Sequence, residues 1–299
     1  MMGKRRPGWR IARVLLMTLL LVGVMFGPGA VAAPGILGQP AAALDSGNEI
    51  DYALGFDTAC APTAAQMQTL WTNSPWFFGG VYIGGNNISC KSNTNLTASW
   101  LNTVHNQGWW FSFFWVGDQA PCASSGFYRM SSDQNTAYND GFNNGSSSTD
   151  KLINTLGVTN SAAGTPVTYD MEGYGQPSWS SSCQLAVDAF MRGWTTYLHL
   201  APAQKSGYYG SSCGSNVDAL AGISPTVDYI HGAAWNNTNP DPNPNNLPCV
   251  NSGHWVNSQR LKQYENARSA SNYGVSITVD YDCAHGPVAP SGTQLNANC

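Results

Sequence analysis

The chain has 299 residues, of which 42% are hydrophobic and only 10% charged, and a formal net charge of −4. An anionic chain lacks the basic face of a nucleic-acid binder and the polybasic segment that attaches a protein to anionic lipid. Its five histidines, His105, His199, His231, His254 and His285, are scattered without the clustering of a zinc site, and no G-x-S-x-G marks a serine hydrolase.

In chain order, the first element is a targeting segment. Lys4, Arg5, Arg6, Arg10 and Arg13 flank the start of an apolar run over 14–26, and Ala30-Val31-Ala32-Ala33 supplies small residues for cleavage. That order predicts a secretory signal peptide over 1–33. The run is short for a membrane span of about 20 residues, so no stable membrane association is expected after cleavage. Removing 1–33 leaves eight Lys+Arg against 17 Asp+Glu, a formal charge of −9. Residues 34–49 read as a flexible leader and 50–299 as one domain.

Strands are predicted at 52–57, 77–84, 109–116, 166–171, 206–210, 227–235, 261–264 and 275–281. Helices are predicted at 63–73, 96–107, 131–156 and 183–200, with a short one at 217–221. In the second helix Leu96, Trp100, Leu101 and Val104 share a face, and Gly108 fits its stop. In the fourth, Leu185, Ala189, Trp194 and Leu198 are the buried candidates. The stretch 236–251, rich in Asn and Pro, reads as a long loop. Strands alternating with helices predict an α/β fold, a single-domain (β/α)₈ TIM-type barrel. Continuously apolar strands fit a sheet buried on both faces. A doubly wound open sheet is the alternative, and it requires a switch point that the order of elements does not supply. Trp109-Trp110 and Phe113-Phe114 read as packing residues.

All eight cysteines lie after the signal segment. An even count behind a signal peptide predicts a disulfide-stapled extracellular protein, and eight cysteines leave 105 pairings open. Attachment to the cell wall is an open option for its final location.

The chain holds only three glutamates, Glu49, Glu172 and Glu265, and one of them ends the run V-T-Y-D-M-E-G-Y over 167–174. Strand alternation sends positions i and i+2 to one face, so Asp170 and Glu172 are expected together at a barrel mouth. Asp57 ends the first strand, Asp280 and Asp282 the last, and Gly117-Asp118-Gln119 adds a weaker contribution from the third. Clustered, desolvated carboxylates split their pKa values, and a protonated acid beside an ionised carboxylate suits glycosidic cleavage. Tyr82, Trp115, Tyr174, Tyr209, Trp235 and Tyr264 are candidates to stack on sugar rings. Two alternatives stand beside this reading. Asp170 and Glu172 are also fit to bind backbone amides, and Asp280 and Asp282 to bind calcium, although the leading reading calls for no metal and no cofactor.

Gly55-Phe56-Asp57, Tyr169-Asp170-Met171-Glu172, Gln263-Tyr264 and Val279-Asp280-Tyr281-Asp282 occur in an order that resembles family 25 glycoside hydrolases. These are barrel lysozymes that cut the muramic acid–glucosamine linkage of peptidoglycan. With Val81-Tyr82-Ile83-Gly84-Gly85, Leu96-Thr97-Ala98-Ser99-Trp100 and Gln119-Ala120-Pro121-Cys122, the likeness extends to secreted bacterial glycoside-hydrolase-like domains of unassigned function, over about 50–283. The resemblance implies Glu172 as general acid and Asp170 as the carboxylate that supports the substrate's acetamido group or orients Glu172. It implies Asp57 and Asp280 as flanking acids. Asp282 stands where those lysozymes more often carry asparagine and is grouped with the substrate-binding residues. The implied function is a secreted glycoside-hydrolase-like protein acting on a cell-wall polysaccharide such as peptidoglycan. The alternative is an inactive barrel that binds the glycan without cutting it.

Overall fold

The computed structural model describes residues 48–158, 164–172, 174, 180–200, 203–289 and 299. The predicted signal peptide and all but the last two residues of the predicted leader lie outside them. Eight strands close a barrel in chain order: β1 (Asn48–Thr58), β2 (Phe78–Gly84), β3 (Trp110–Trp115), β4 (Pro166–Asp170), β5 (Lys205–Ser211), β6 (Tyr229–Ala233), β7 (Arg260–Ser269) and β8 (Thr278–Val288). Neighbours from β1 to β7 are parallel, whereas β8 runs antiparallel to both β7 and β1. Helices α1 (Ala64–Asn73), α2 (Ala98–Asn106), α3 (Gln134–Asp150) and α4 (Ser181–Leu198) follow the first four strands. The second half is leaner: a short 3-10 turn follows β5, and a loop joins β6 to β7. The fold is thus a (β/α)₈-like barrel with an antiparallel closing strand. Among the described residues no helix is long and apolar enough to cross a membrane.

Local signals explain the helix starts. Thr63 forms a capping box with Gln66, and Thr97 and Ser180 cap α2 and α4 through their hydroxyls. Leu185, expected to be buried, is exposed, because the packed stripe of α4 runs through Ala186, Ala189, Phe190, Gly193 and Trp194. There α3 and α4 touch backbone to backbone. A Cβ on Gly193 would overlap the Tyr138 carbonyl, and one on Gly141 the Phe190 carbonyl. Gly193→Ala should therefore force the helices apart and cost about 1–3 kcal/mol, read as a melting temperature several degrees lower. An unchanged melting temperature would show that this crossing tolerates a methyl group.

The core has two shells. Outward-facing strand residues such as Phe56, Phe111, Phe113 and Tyr169 pack under the helices with Trp109, Phe190 and Trp194. Inside the barrel, Phe78, Tyr229, Leu261, Ala284 and Val288 fill the bottom, and Phe114 and Tyr209 pack with Ala233 above. The long β6–β7 loop takes the place of a helix. It is gathered by two buried cations beneath it: Arg260 donates to the carbonyls of Asn245, Asn251 and His254, and Lys262 to Asp241 and the carbonyls of Asn243 and Asn246.

The cysteines pair as Cys60–Cys90, Cys122–Cys183, Cys213–Cys249 and Cys283–Cys299. Cys60–Cys90 links the connections after β1 and β2, Cys122–Cys183 the connection after β3 to the start of α4, and Cys213–Cys249 the connections after β5 and β6. These three bonds brace the mouth at which the parallel strands end.

Candidate active site

Asp170 is the last residue of β4 and Glu172 lies two residues beyond it. Asp57 closes β1 on the inner face. Asp280 and Asp282 reach the same mouth by an unexpected route. The sequence places them at the C-terminal end of the last strand; they occupy instead the N-terminal half of β8, whose reversed direction brings that half to the mouth. Asp280 pairs directly opposite Asp57, and Asp282 opposite Gly55 and Gln263.

Asp57, Asp170, Glu172 and Asp280 line one cleft of about 370 Å³, together with Tyr82 and Gln119. Each acid is held differently. Asp57 is buried; its Oδ1 accepts the Tyr82 hydroxyl at 2.9 Å and its Oδ2 the Gln263 amide at 2.6 Å. Gly80 makes room for it, since a Cβ there would overlap the Asp57 Cβ. Gln263 is a hub: its Oε1 accepts from Tyr209 Oη at 2.8 Å and from Trp235 Nε1 at 2.6 Å. Asp280 Oδ1 accepts the Ala267 N–H at 2.6 Å. That amide is turned toward it by a bulge in β7 where Ala267 has φ of 53°. Gln119 clamps the Asp-x-Glu stretch from beneath, donating to the Asp170 carbonyl at 2.8 Å and accepting the Glu172 N–H at 2.5 Å.

Asp170 is buried and its Oδ1 has no hydrogen-bond partner. Glu172 stands at the rim with its side chain open to solvent on one side. Burial holds the Asp170 carboxyl well above the usual carboxylate range, and the Glu172 and Asp57 charges raise it further. Burial likewise raises Asp57, with Asp282 and Asp280 adding to the effect and the Gln263 hydrogen bond opposing it. Partial desolvation in the cleft, then the Asp280 charge, raises Glu172. Desolvation raises Asp280 against the Ala267 hydrogen bond. The cleft therefore holds carboxyl groups that cannot all be ionised together, with Glu172 the most accessible. Chemically, such an arrangement is able to set a protonated acid beside carboxylates that can support positive charge. Among the described residues no group of three or more His, Cys, Asp or Glu is arranged to hold a metal ion, and Asp280 and Asp282 make separate contacts with Ala267 and His231.

Residues 68–284 match the model of the Rv2525c-like, glycoside hydrolase-like domain. The chain belongs to that family. Among solved structures, the Tat-secreted protein Rv2525c of Mycobacterium tuberculosis is similar at 12% identity, over 78% of this chain and 94% of that one, with a TM-score of 0.47. The modular autolysin LytC of Streptococcus pneumoniae, in complex with a synthetic peptidoglycan ligand, matches at 12% identity over 78% of this chain and 46% of that one, with a TM-score of 0.49. A family 25 glycosyl hydrolase from Bacillus anthracis matches at 13% identity over 78% and 89%, with a TM-score of 0.42. No curated protein matches.

In this glycoside hydrolase-like barrel the remaining candidates divide by the face they occupy. Tyr82 lines the cleft, stacked on Phe114 at 4.9 Å. Tyr209 points inward but is buried beneath it, bound to Gln263. Trp235 is 53% exposed and borders a second hollow of about 510 Å³ with Ser211, Asn236 and Lys262. Three expectations fail. Trp115 turns outward to hydrogen-bond Asn144 of α3 at 2.8 Å. Tyr174 is buried against the Tyr208 hydroxyl and the Ser215 carbonyl. Tyr264 packs on Tyr281 and lines neither hollow. Asp118, which faces Asn86 and Asn144, also lies outside the cleft lining. Asp282 is fully buried and does not line the cleft, so it is not placed to touch substrate. Gln119, Gln263 and His231 also belong to the site, although none carries a strong mark in the sequence. The signal for the two glutamines was their position near strand ends that also carry acids.

Proposed function

We propose that the protein is a secreted hydrolase of cell-wall glycan, peptidoglycan foremost, and that Glu172 is its general acid. The observation that carries this reading is the meeting of Asp57, Asp170, Glu172 and Asp280 from β1, β4 and β8 in one cleft. Glu172, open to the cleft and raised toward its protonated form, donates a proton to the glycosidic oxygen. Asp170, buried beside it with a free acceptor oxygen, takes the N–H of a substrate acetamido group or orients Glu172. Asp57 and Asp280 carry negative charge toward the oxocarbenium-like transition state. Tyr82 offers a ring to the bound sugar. The exposed indole of Trp235, held by its hydrogen bond to Gln263, receives the chain as it leaves toward the second hollow. No cofactor is called for, and the disulfides fit an extracellular setting.

The test is release of new reducing ends from purified peptidoglycan and other wall polysaccharides by the wild-type protein and Glu172→Gln. Wild type should release them, and the variant should retain the glycan without cutting it. Equal behaviour of the two, with glycan still bound, would make the barrel a binding module.

A further inference from the structure

Beneath the cleft lie two buried ionisable groups that the proposed reaction does not use. Asp282 on β8 and His231 on β6 are both 0% exposed, with His231 Nε2 2.9 Å from Asp282 Oδ1. The groups around them come from every strand of the upper barrel. From β1 the Asp57 charge acts on His231 and its carboxyl hydrogen-bonds that of Asp282, Phe114 and Tyr209 hold rings 5.3 and 5.4 Å from the imidazole, and Gln263 pairs beside Asp282 from β7. Asp280 acts on Asp282 from two residues up β8. Tyr82 and Asp170 face Asp57 from β2 and β4. None of these is a cation. Among the described residues, lysine and arginine form ion pairs only at Lys262–Asp241 and Arg268–Glu265, away from this centre.

Charge balance then constrains the protons. Two carboxylates held close in a dry interior without a cation cannot both be ionised. Asp57 is furnished for charge, with a donor on each oxygen. Asp282 is not: beyond His231 on Oδ1 its carboxyl meets only the Asp57 carboxyl, a contact that holds only if one of the two is protonated, and His231 Nδ1 has no hydrogen-bond partner. An imidazolium here would bury an N–H without an acceptor, which a dry interior penalises. The neutral tautomer protonated at Nε2 leaves only a lone pair at that position.

We propose that Asp282 is a neutral carboxylic acid beneath Asp57, accepting the His231 Nε2–H on Oδ1 and donating its own proton to the Asp57 carboxylate, so that Asp57 alone of the three bears charge. Burial lowers His231 to about 4 and holds Asp282 well above the usual carboxylate range, with the Asp280 charge adding to the latter and the hydrogen bond with Asp57 opposing it. Burial raises Asp57 as well, and it is the donors on both its oxygens that favour it as the charged partner. His231 and Asp282 are then positioning residues, which confine a single negative charge to the Asp57 side of the cleft. That consequence rests on the proposed hydrolase reading; the protonation state does not, and it is tested without substrate.

The experiment is infrared difference spectroscopy at neutral pH between the wild-type protein and Asp282→Asn. The expected result is a protonated-carboxyl carbonyl band present in wild type and lost in the variant. Loss of a carboxylate band instead would show Asp282 ionised and overturn the proposal, whether or not the protein cuts glycan. Should the variant fail to fold, carbon-13 NMR of wild-type protein labelled at the aspartate carboxyls decides the same point. The Asp282 resonance, assigned through its contact with His231, should keep the carboxylic-acid shift at neutral pH, and a carboxylate shift would overturn the proposal.

Discussion

Glu172→Gln is expected to slow release of reducing ends from peptidoglycan at least about 100-fold, the scale of a lost general acid, while leaving the melting temperature within about a degree. The two halves of this result have separate causes. Glutamine keeps the size of the side chain and its reach into the cleft but has no proton to give. Among the described contacts the Glu172 backbone N–H, not its carboxyl, is the bonded group, and the side chain is exposed, so little packing is at stake. The variant should also bind insoluble glycan about as well as wild type, because glutamine matches the protonated glutamic acid in size and charge. Initial rates, a sedimentation binding assay and a thermal melt on the same preparations check the three statements. A rate loss accompanied by a comparable fall in melting temperature would trace the defect to folding rather than to proton transfer.

Asp170→Asn should do the opposite to stability while also removing activity. A carboxyl whose pKa is raised on folding contributes stability that is fully present below its unfolded pKa, near 4, and is lost as pH rises through its folded pKa. Asp57, Asp170 and Asp282 all have this sign, because burial and like charges raise each of them. His231 has the reverse sign. Its pKa falls on folding to about 4, so the stability it contributes is present above about 6.5 and is lost as pH falls toward 4. Above pH 6.5 the acids act alone, and the melting temperature of wild type should decline as pH is raised from 6.5 to 9. Asp170→Asn removes one buried charge and should flatten that decline, melting a few degrees above wild type at pH 8. Thermal melts across this pH range decide the matter; a variant that melts below wild type at pH 8 would show that ionised Asp170 is well supported in its pocket. The cleft would then lack the destabilisation expected of a site built for proton transfer rather than for stability.

Much of the barrel is legible in the sequence because its strands are short apolar runs punctuated by glycine and by capped helices. The order Asp57, Asp170, Glu172, Asp280 is legible for the same reason, since each acid interrupts or ends such a run. The direction of β8 is not carried by periodicity, which reads the same forward and backward. One signal was present: about ten residues separate the predicted strands at 261–264 and 275–281, too few for the helical crossover of a parallel pair. The faces of the aromatics were hidden by burial on both sides of the sheet. Tyr208 and Tyr209, or Phe113 and Phe114, are equally apolar in the sequence although they point to opposite shells, so Trp115 could not be told from an inward residue. The four disulfides were open among 105 pairings until the mouth loops were placed. His231 had no local mark at all, because its partner Asp282 lies 51 residues away on a strand two positions round the barrel.

The most direct measurement of whether this cleft holds and cuts glycan is a crystal structure of the Glu172→Gln protein soaked with a soluble peptidoglycan fragment. A sugar ring is expected within hydrogen-bonding distance of residue 172 and Asp170, over Tyr82, with the chain directed toward Trp235. A fragment seated only on another face, with the cleft between Asp57, Asp170 and Asp280 empty, would contradict the assignment of this cleft as the place where glycan is cut.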